Sequence, residues 1–239
     1  MDILKEINPE LDGSLSAEIG VDGLPDLACG WVLREYFPAG RLLKLIVPHH
    51  PDILLDTSDT ESAIRDDDRM PYWAYLWPAA IQMADVILST ACPRGTRVLE
   101  LGCGLGLVGL SALACGYHVS LTDYDPRSVA VAAINAQLNG FSAFDAFKLD
   151  WRAPLDLHYP MIVGCDLLYE ARNHSPMLDL LDRMLTPDGV CWLGDAGRNA
   201  ASEFWLLAQE RGFSVIIHDA DGEQRQKPGC HFQWFELFR

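Results

Sequence analysis

From Arg97 onward, short apolar runs alternate with helical stretches, and no other feature of the chain constrains its fold as much. Runs at 97–101, 117–122, 144–149, 161–165, 190–194 and 213–217 have the length and composition of strands. Segments 107–115, 127–139, 174–185 and 200–211 have helical character. Pro126, and Pro187 with Gly189, punctuate places where a helix begins or ends. Such alternation implies a parallel sheet with helices on both faces. After Phe213 the rhythm breaks: a polar loop, 219–229, leads directly into His231–Phe238. Two strands without an intervening helix form a hairpin, so the last strand is expected to be antiparallel.

Upstream of this pattern, residues 1–69 form an acidic N-terminal extension that ends in Asp66-Asp67-Asp68, and 70–239 form the main domain. Within the extension, Leu42–Val47 is predicted as a strand, Pro48–Asp52 as a turn and Ile53–Leu55 as a short partner strand, a hairpin packed on the main domain. Tyr75–Leu88 has helical character with Pro78 in its first turn. Met1–Glu10 lacks a charged-then-apolar signal pattern. Leu101–Ser120 approaches membrane-spanning length, but it holds four glycines by Gly109 and is bracketed by Glu100 and Asp123, so a strand, turn and helix explain it better and no membrane segment is expected.

With 239 residues, 49% of them hydrophobic, the chain can build a full core. Its formal charge of −16 argues against nucleic acid as a partner and suits a basic or neutral one, including a lysine-bearing protein; the same acidity also serves solubility. Seven scattered cysteines without a C-x-x-C pair offer neither a zinc site nor a disulfide framework, and a reducing cytoplasm is the expected location. His49-His50 has no helically spaced acidic partners, and no metal is expected.

The most informative segment is Val98-Leu99-Glu100-Leu101-Gly102-Cys103-Gly104-Leu105-Gly106, an apolar strand running through alternating glycines into a helix. Glycine serves where the backbone turns sharply or a ligand must touch it, and the helix start offers unpaired N–H groups. Gly104-x-Gly106-x-x-Gly109 also fits a dinucleotide fingerprint. Three acids tilt the reading toward adenosine joined to an amino acid. Glu100 would repel a pyrophosphate but receive an α-amino group, directly or through water. Asp123 closes the second strand, where it would accept from ribose hydroxyls. Asp150-Trp151 closes the third, offering a carboxylate for an adenine amino group and an aromatic face beside it. Each acid alone fits a solvated loop residue or a helix cap equally well; the ordered set is harder to dismiss.

Over positions 70–239 these residues resemble the class I methyltransferases. That resemblance implies a Rossmann-like three-layer α/β sandwich with a seven-stranded, mostly parallel sheet and an antiparallel last strand. It assigns Glu100, Gly102, Gly104, Asp123 and Asp150 to S-adenosyl-L-methionine, with S-adenosyl-L-homocysteine as product; Cys103, Trp151 and Cys165 complete the expected cofactor wall. Pro71-Tyr72-Trp73-Ala74-Tyr75-Leu76-Trp77-Pro78, Asp166-Leu167-Leu168-Tyr169 and Gly194-Asp195-Ala196-Gly197-Arg198 further resemble the protein-lysine methyltransferases with a D-x-x-Y motif. Among these, the enzymes that modify the β-subunit of electron-transfer flavoprotein carry similar P-Y-W…W-P and G-D-x-G-R stretches.

Methyl transfer from a sulfonium needs an uncharged nucleophile in line with the methyl carbon, and a lysine must first lose its proton. The expected catalytic pair is Asp166, orienting the amine, and Tyr169, lining its channel and sharing a face with Asp166 if a helical turn starts there. The bland alternative has Asp166 capping a turn and Tyr169 in the core. Trp77 would cover the methionine end of the cofactor, and Tyr72 or Trp73 would form the substrate entrance, though such aromatic residues also serve as core or lid packing. Arg198 would contact a substrate carboxylate or pair with Asp195. A protein lysine is the leading acceptor. A small-molecule amine, a non-catalytic cofactor-binding protein and a nicotinamide-dependent oxidoreductase are the competing readings.

Overall fold

The computed structural model describes residues 23–57, 60, 65, 70–90 and 93–239; residues 1–10, the run Asp66–Asp68 and Cys92 lie outside them. The first two strands, β1 (Trp31–Tyr36) and β2 (Leu43–Pro48), pair antiparallel with Trp31 opposite Pro48 and Tyr36 opposite Leu43. This corrects the expected hairpin. Ile53–Leu55 is not a strand but part of a 3₁₀ helix, Pro51–Asp56, and the partner of β2 lies upstream. The turn between β1 and β2 closes through Ala39 and Gly40, both at positive φ (45° and 76°).

A 3₁₀ turn, Tyr72–Ala74, precedes α1 (Pro78–Ser89). Pro78 occupies the first turn of α1, where its missing N–H costs nothing, so the helix begins three residues later than expected. The alternating region follows as β3 (Arg97–Leu101), α2 (Leu107–Ala114), β4 (His118–Asp123), α3 (Pro126–Leu138), β5 (Phe144–Lys148), β6 (Tyr159–Cys165), α4 (His174–Met184), β7 (Leu185–Asp195), α5 (Asn199–Glu210), β8 (Ser214–Asp219), β9 (Gln224–Arg225) and β10 (Gln233–Phe238). Pro187 and Gly189 fall inside the first half of β7 rather than at a helix boundary.

The sheet runs β5-β4-β3-β6-β7-β10-β8-β9. Strands β3 to β7 are mutually parallel, and β10 inserts antiparallel between β7 and β8. Seven strands carry the fold, as expected, and the two-residue β9 adds an eighth at the edge. Strand order reverses on either side of β3, between β4 and β6. In open α/β sheets ligands bind at such a point, beyond the carboxyl ends of the strands.

Alternation along β3 divides the core in two. Val98 packs on the face that carries α1 and α2, whereas Leu99 and Leu101 pack on the face of α4 and α5. A strand period of two therefore puts Glu100 on the α2 face with Val98. The hairpin docks on that side through α3. Asn135 accepts the Ile46 N–H at 2.7 Å and donates to the Ile46 and Leu105 carbonyls, while Asn139 exchanges both backbone bonds with Lys44. Two side-chain amides thus act as a short artificial strand against β2.

Candidate active site

A cleft of about 620 Å³ opens at the carboxyl ends of β3 to β7, roofed by segment 70–77. Its floor is the glycine loop after β3. Gly102 and Gly104 lie at φ 60° and 53°, a conformation that disfavours side chains, and a Cβ on Gly102 would stand 2.5 Å from Leu167 Cδ2. Both glycines line the cleft, together with Asp123 from the end of β4 and with Asp150 and Trp151 from beyond β5. The Asp123 carboxylate accepts the N–H groups of Gly104 and Asp125, each at 3.0 Å. Desolvation pushes its pKa up, against the pull of those two bonds.

Asp150 faces the cleft already gripped. Arg152 Nε and Nη2 meet its two oxygens at 3.0 and 2.9 Å, and the Arg152 backbone N–H adds a third bond. The same guanidinium rests 5.4 Å from the Tyr124 ring, which also carries Lys148 Nζ at 4.7 Å. Sequence reading had not picked out Tyr124, Arg127, Arg152 or Arg172, yet all four line the cleft. A signal was present: an acid followed two residues later by arginine recurs after β4, β5 and β6. Asp125–Arg127, Asp150–Arg152 and Glu170–Arg172 are each ion-paired.

Two expected cofactor residues lie beneath this surface. Glu100 is 3% exposed and does not line the cleft. Oε1 accepts the Gly109 N–H in α2 at 3.0 Å, and Oε2 is buried without a hydrogen-bond partner. Burial pushes its pKa up to about 8. Glu100, expected to receive an amino group directly or through water, thus lies one layer below the cleft surface, because the pleat turns the side chain into the helix. Cys103 is likewise buried, beside Ser128, with its thiol pKa raised by burial. Cys165 does line the cleft, and burial holds its thiol protonated.

At the other end of the cleft stand Asp166, Tyr169 and Arg198 with the aromatic roof. Asp166 follows β6 in a bend at φ 56°, a left-handed conformation, so no helical turn starts there to put it on one face with Tyr169. Its backbone N–H reaches Gly194 O at 2.8 Å. Its Oδ1 is held by Arg198 Nη1, and its Oδ2 is buried without a partner. Burial raises the Asp166 pKa, opposed by Arg198. Burial also pushes Tyr169 up to about 12, which keeps its phenol neutral. The rings of Tyr169 and Tyr72 meet edge to face at 5.6 Å, and Tyr72 meets Trp77 at 6.0 Å. Tyr72 is exposed on the rim, but Trp73 is buried behind it, under Arg127. Trp73 is thus a wall of the cleft rather than its entrance.

Acids closing successive parallel strands around a bare glycine loop, beside a cleft of nucleoside size, fit a ligand made of adenosine and an amino acid. The rim arginines Arg127, Arg152 and Arg172 are each engaged by an acid, Asp125, Asp150 and Glu170, which disfavours a pyrophosphate there. Fold and site together define an S-adenosylmethionine-dependent methyltransferase. Residues 58–211 match the profile of the lysine methyltransferase family, and the chain belongs to that family. It is 30% identical over 159 residues to protein N-lysine methyltransferase METTL21A of Danio rerio, covering 63% of this chain and 73% of the relative. It is also 30% identical over 140 residues to the electron transfer flavoprotein beta subunit lysine methyltransferase of Xenopus laevis, 57% of each chain, so it spans little more than half of that relative. Among solved structures, a ribosomal protein L11 methylase from Lactobacillus delbrueckii subsp. bulgaricus shares the fold at 22% identity, with a TM-score of 0.55 over 69% of this chain and 80% of that one. Among the described residues, no helix is long and apolar enough to cross a membrane.

Proposed function

We propose that this enzyme methylates the ε-amino group of a lysine in a protein. The observation that carries the reading is Asp166 Oδ2, a buried acceptor without a partner, in a cleft end walled by Tyr72, Trp77 and Tyr169. S-adenosylmethionine, when bound, supplies a methyl carbon made electrophilic by its sulfonium. The protein's part is to hold that donor and to deliver an uncharged amine in line with it. A lysine ammonium entering between the rings is stabilised by their faces. Asp166 then orients the nitrogen and takes up or relays its proton, helped by the burial that raises its own pKa. Tyr169, neutral at working pH, lines the channel and does not act as base.

Gly102, Gly104, Asp123, Asp150 and Trp151 hold the donor's nucleoside and the loop beneath it, while Trp77 and Cys165 border its methionine end. Glu100 and Cys103 support the loop from below. A protein acceptor suits the relatives' activities and the net charge of −16, which steers basic partners. The catalytic unit is residues 70–239, and cysteines scattered without a C-x-x-C pair suit a reducing cytoplasm.

The test is incubation of the purified chain with labelled methyl donor and a whole cell lysate that retains its small molecules. Label should enter protein as methyl-lysine. Asp166→Ala should lower transfer by about a hundredfold or more while leaving donor affinity largely intact. Asp166→Asn should do the same without backbone strain, because Asn tolerates the left-handed conformation. Label confined to small molecules, or turnover unchanged in both variants, defeats the proposal.

A further inference from the structure

Arg198 joins Asp195, the partner its sequence context suggested, to Asp166, which that context did not foretell. Nη1 sits between two carboxylates, bonded to Asp166 Oδ1 and 3.5 Å from Asp195 Oδ2. Its Cζ lies 5.8 Å from the centre of the Trp77 ring. Asp195 is fully buried, and its Oδ1 accepts the N–H groups of Gly197 and Arg198, both at 2.7 Å. Gly197, at φ 90°, is pressed so closely on the backbone of Cys230 and His231 that a Cβ would come within 2.4 Å of both. The loop carrying Arg198 therefore has no slack. It is pinned by a buried carboxylate on one side and by the lead-in to β10 on the other.

We propose that Arg198 is a positioning residue: it holds the Asp166 carboxylate ionised and turned so that Oδ2 faces the incoming amine, and does not itself bind the acceptor. This rests on the role given to Asp166 above. Asp166 occupies a left-handed conformation, which Asp and Asn adopt more readily than other non-glycine residues, and two contacts hold it there. The restraints are its N–H bond to Gly194 and its pair with Arg198. A substrate carboxylate could take the guanidinium only by displacing Asp166. Two carboxylates around one guanidinium also leave one negative charge, which a single incoming ammonium completes. The charged and titratable groups near Asp166 are Arg198 and Asp195 from the β7 loop, Tyr169 on its own loop, and Cys165 with Glu100 behind it.

The experiment titrates Asp166 in the ligand-free enzyme by carboxyl ¹³C NMR. It also measures labelled methyl transfer into lysate protein at pH 6.5 and 8.5, and S-adenosylmethionine affinity by calorimetry. Arg198→Ala should raise the Asp166 midpoint by about one unit or more. Transfer should then fall more at pH 6.5 than at pH 8.5, with donor affinity changed less than about twofold. Arg198→Lys, which keeps the charge, should restore most of the midpoint. Asp195→Asn should move it the other way. A merely structural arginine would lower stability without moving the midpoint in opposite senses. An unmoved midpoint, or a transfer defect equal at both pH values, overturns the proposal even if Asp166→Ala is inactive. If Asp166→Ala stays active while the midpoint shifts as stated, the role of Asp166 itself is wrong.

Discussion

Glu100 and Gly109 are fitted to each other across the β3–α2 boundary. The Gly109 N–H donates to Glu100 Oε1 at 3.0 Å, and a Cβ on Gly109 would lie 2.2 Å from Oε2 and 2.3 Å from Leu121 Cδ2. A glycine inside a helix ordinarily gains about 1 kcal/mol on replacement by alanine. Here the added methyl must move a buried carboxylate and a core leucine. Gly109→Ala should therefore destabilise the protein by about 2–3 kcal/mol, the usual cost of overpacking, as read from the urea midpoint.

Burial of Glu100 also sets a pH dependence of stability. Its folded pKa, about 8, lies above the unfolded value, so between those values the folded state holds a proton that the unfolded state releases. Stability must then fall as pH rises from about 4.5 to 8, with a slope of at most about 1.4 kcal/mol per unit from this group. Urea unfolding across that range should show the decline, and Glu100→Gln should flatten it. An equal slope in the variant would assign the decline to other groups.

Asn135 is fully buried and serves three backbone groups, on β2 and in the glycine loop. Asn135→Ala strands the Ile46 N–H and two carbonyls, and about 2–4 kcal/mol should be lost. Amide exchange should report the loss first at Ile46. Asn135→Asp, which keeps an acceptor for that N–H but no donor, should be no better than the alanine variant.

Arg152 grips Asp150, the carboxylate proposed above to hold the donor's nucleoside. The pair is partly exposed, so its rupture costs no more than about 1 kcal/mol. Arg152→Ala should therefore tighten S-adenosylmethionine binding, by up to about fivefold, whereas Asp150→Ala should weaken it. Calorimetry separates the two, and weaker binding by Arg152→Ala would make that arginine part of the binding surface.

Most of the fold was legible in the chain. The seven principal strands and the helices between them follow from local periodicity, and the antiparallel end follows from the missing helix before β10. The rim of the site was legible too, because Asp123, Asp150 and Asp166 each follow the last apolar residues of a parallel strand, where the topology gathers them. The hairpin was misread because β2 has two neighbours of strand-like composition, and the proline at 51 turns the downstream one into a 3₁₀ helix. The acid–arginine spacing of the rim is visible in the chain, but that the three pairs border one cleft follows only from the topology.

By itself, the sequence determined where the backbone is extended or helical and which residues close each strand, since those properties depend on neighbours a few positions away. Tertiary structure decided which sheet face Glu100 took, which partner β2 found and which carboxylate Arg198 holds. Those outcomes rest on contacts between segments that the sequence keeps apart: Glu100 turned inward because Gly109 left it room, and Arg198 reached Asp166 because β6 and β7 lie side by side.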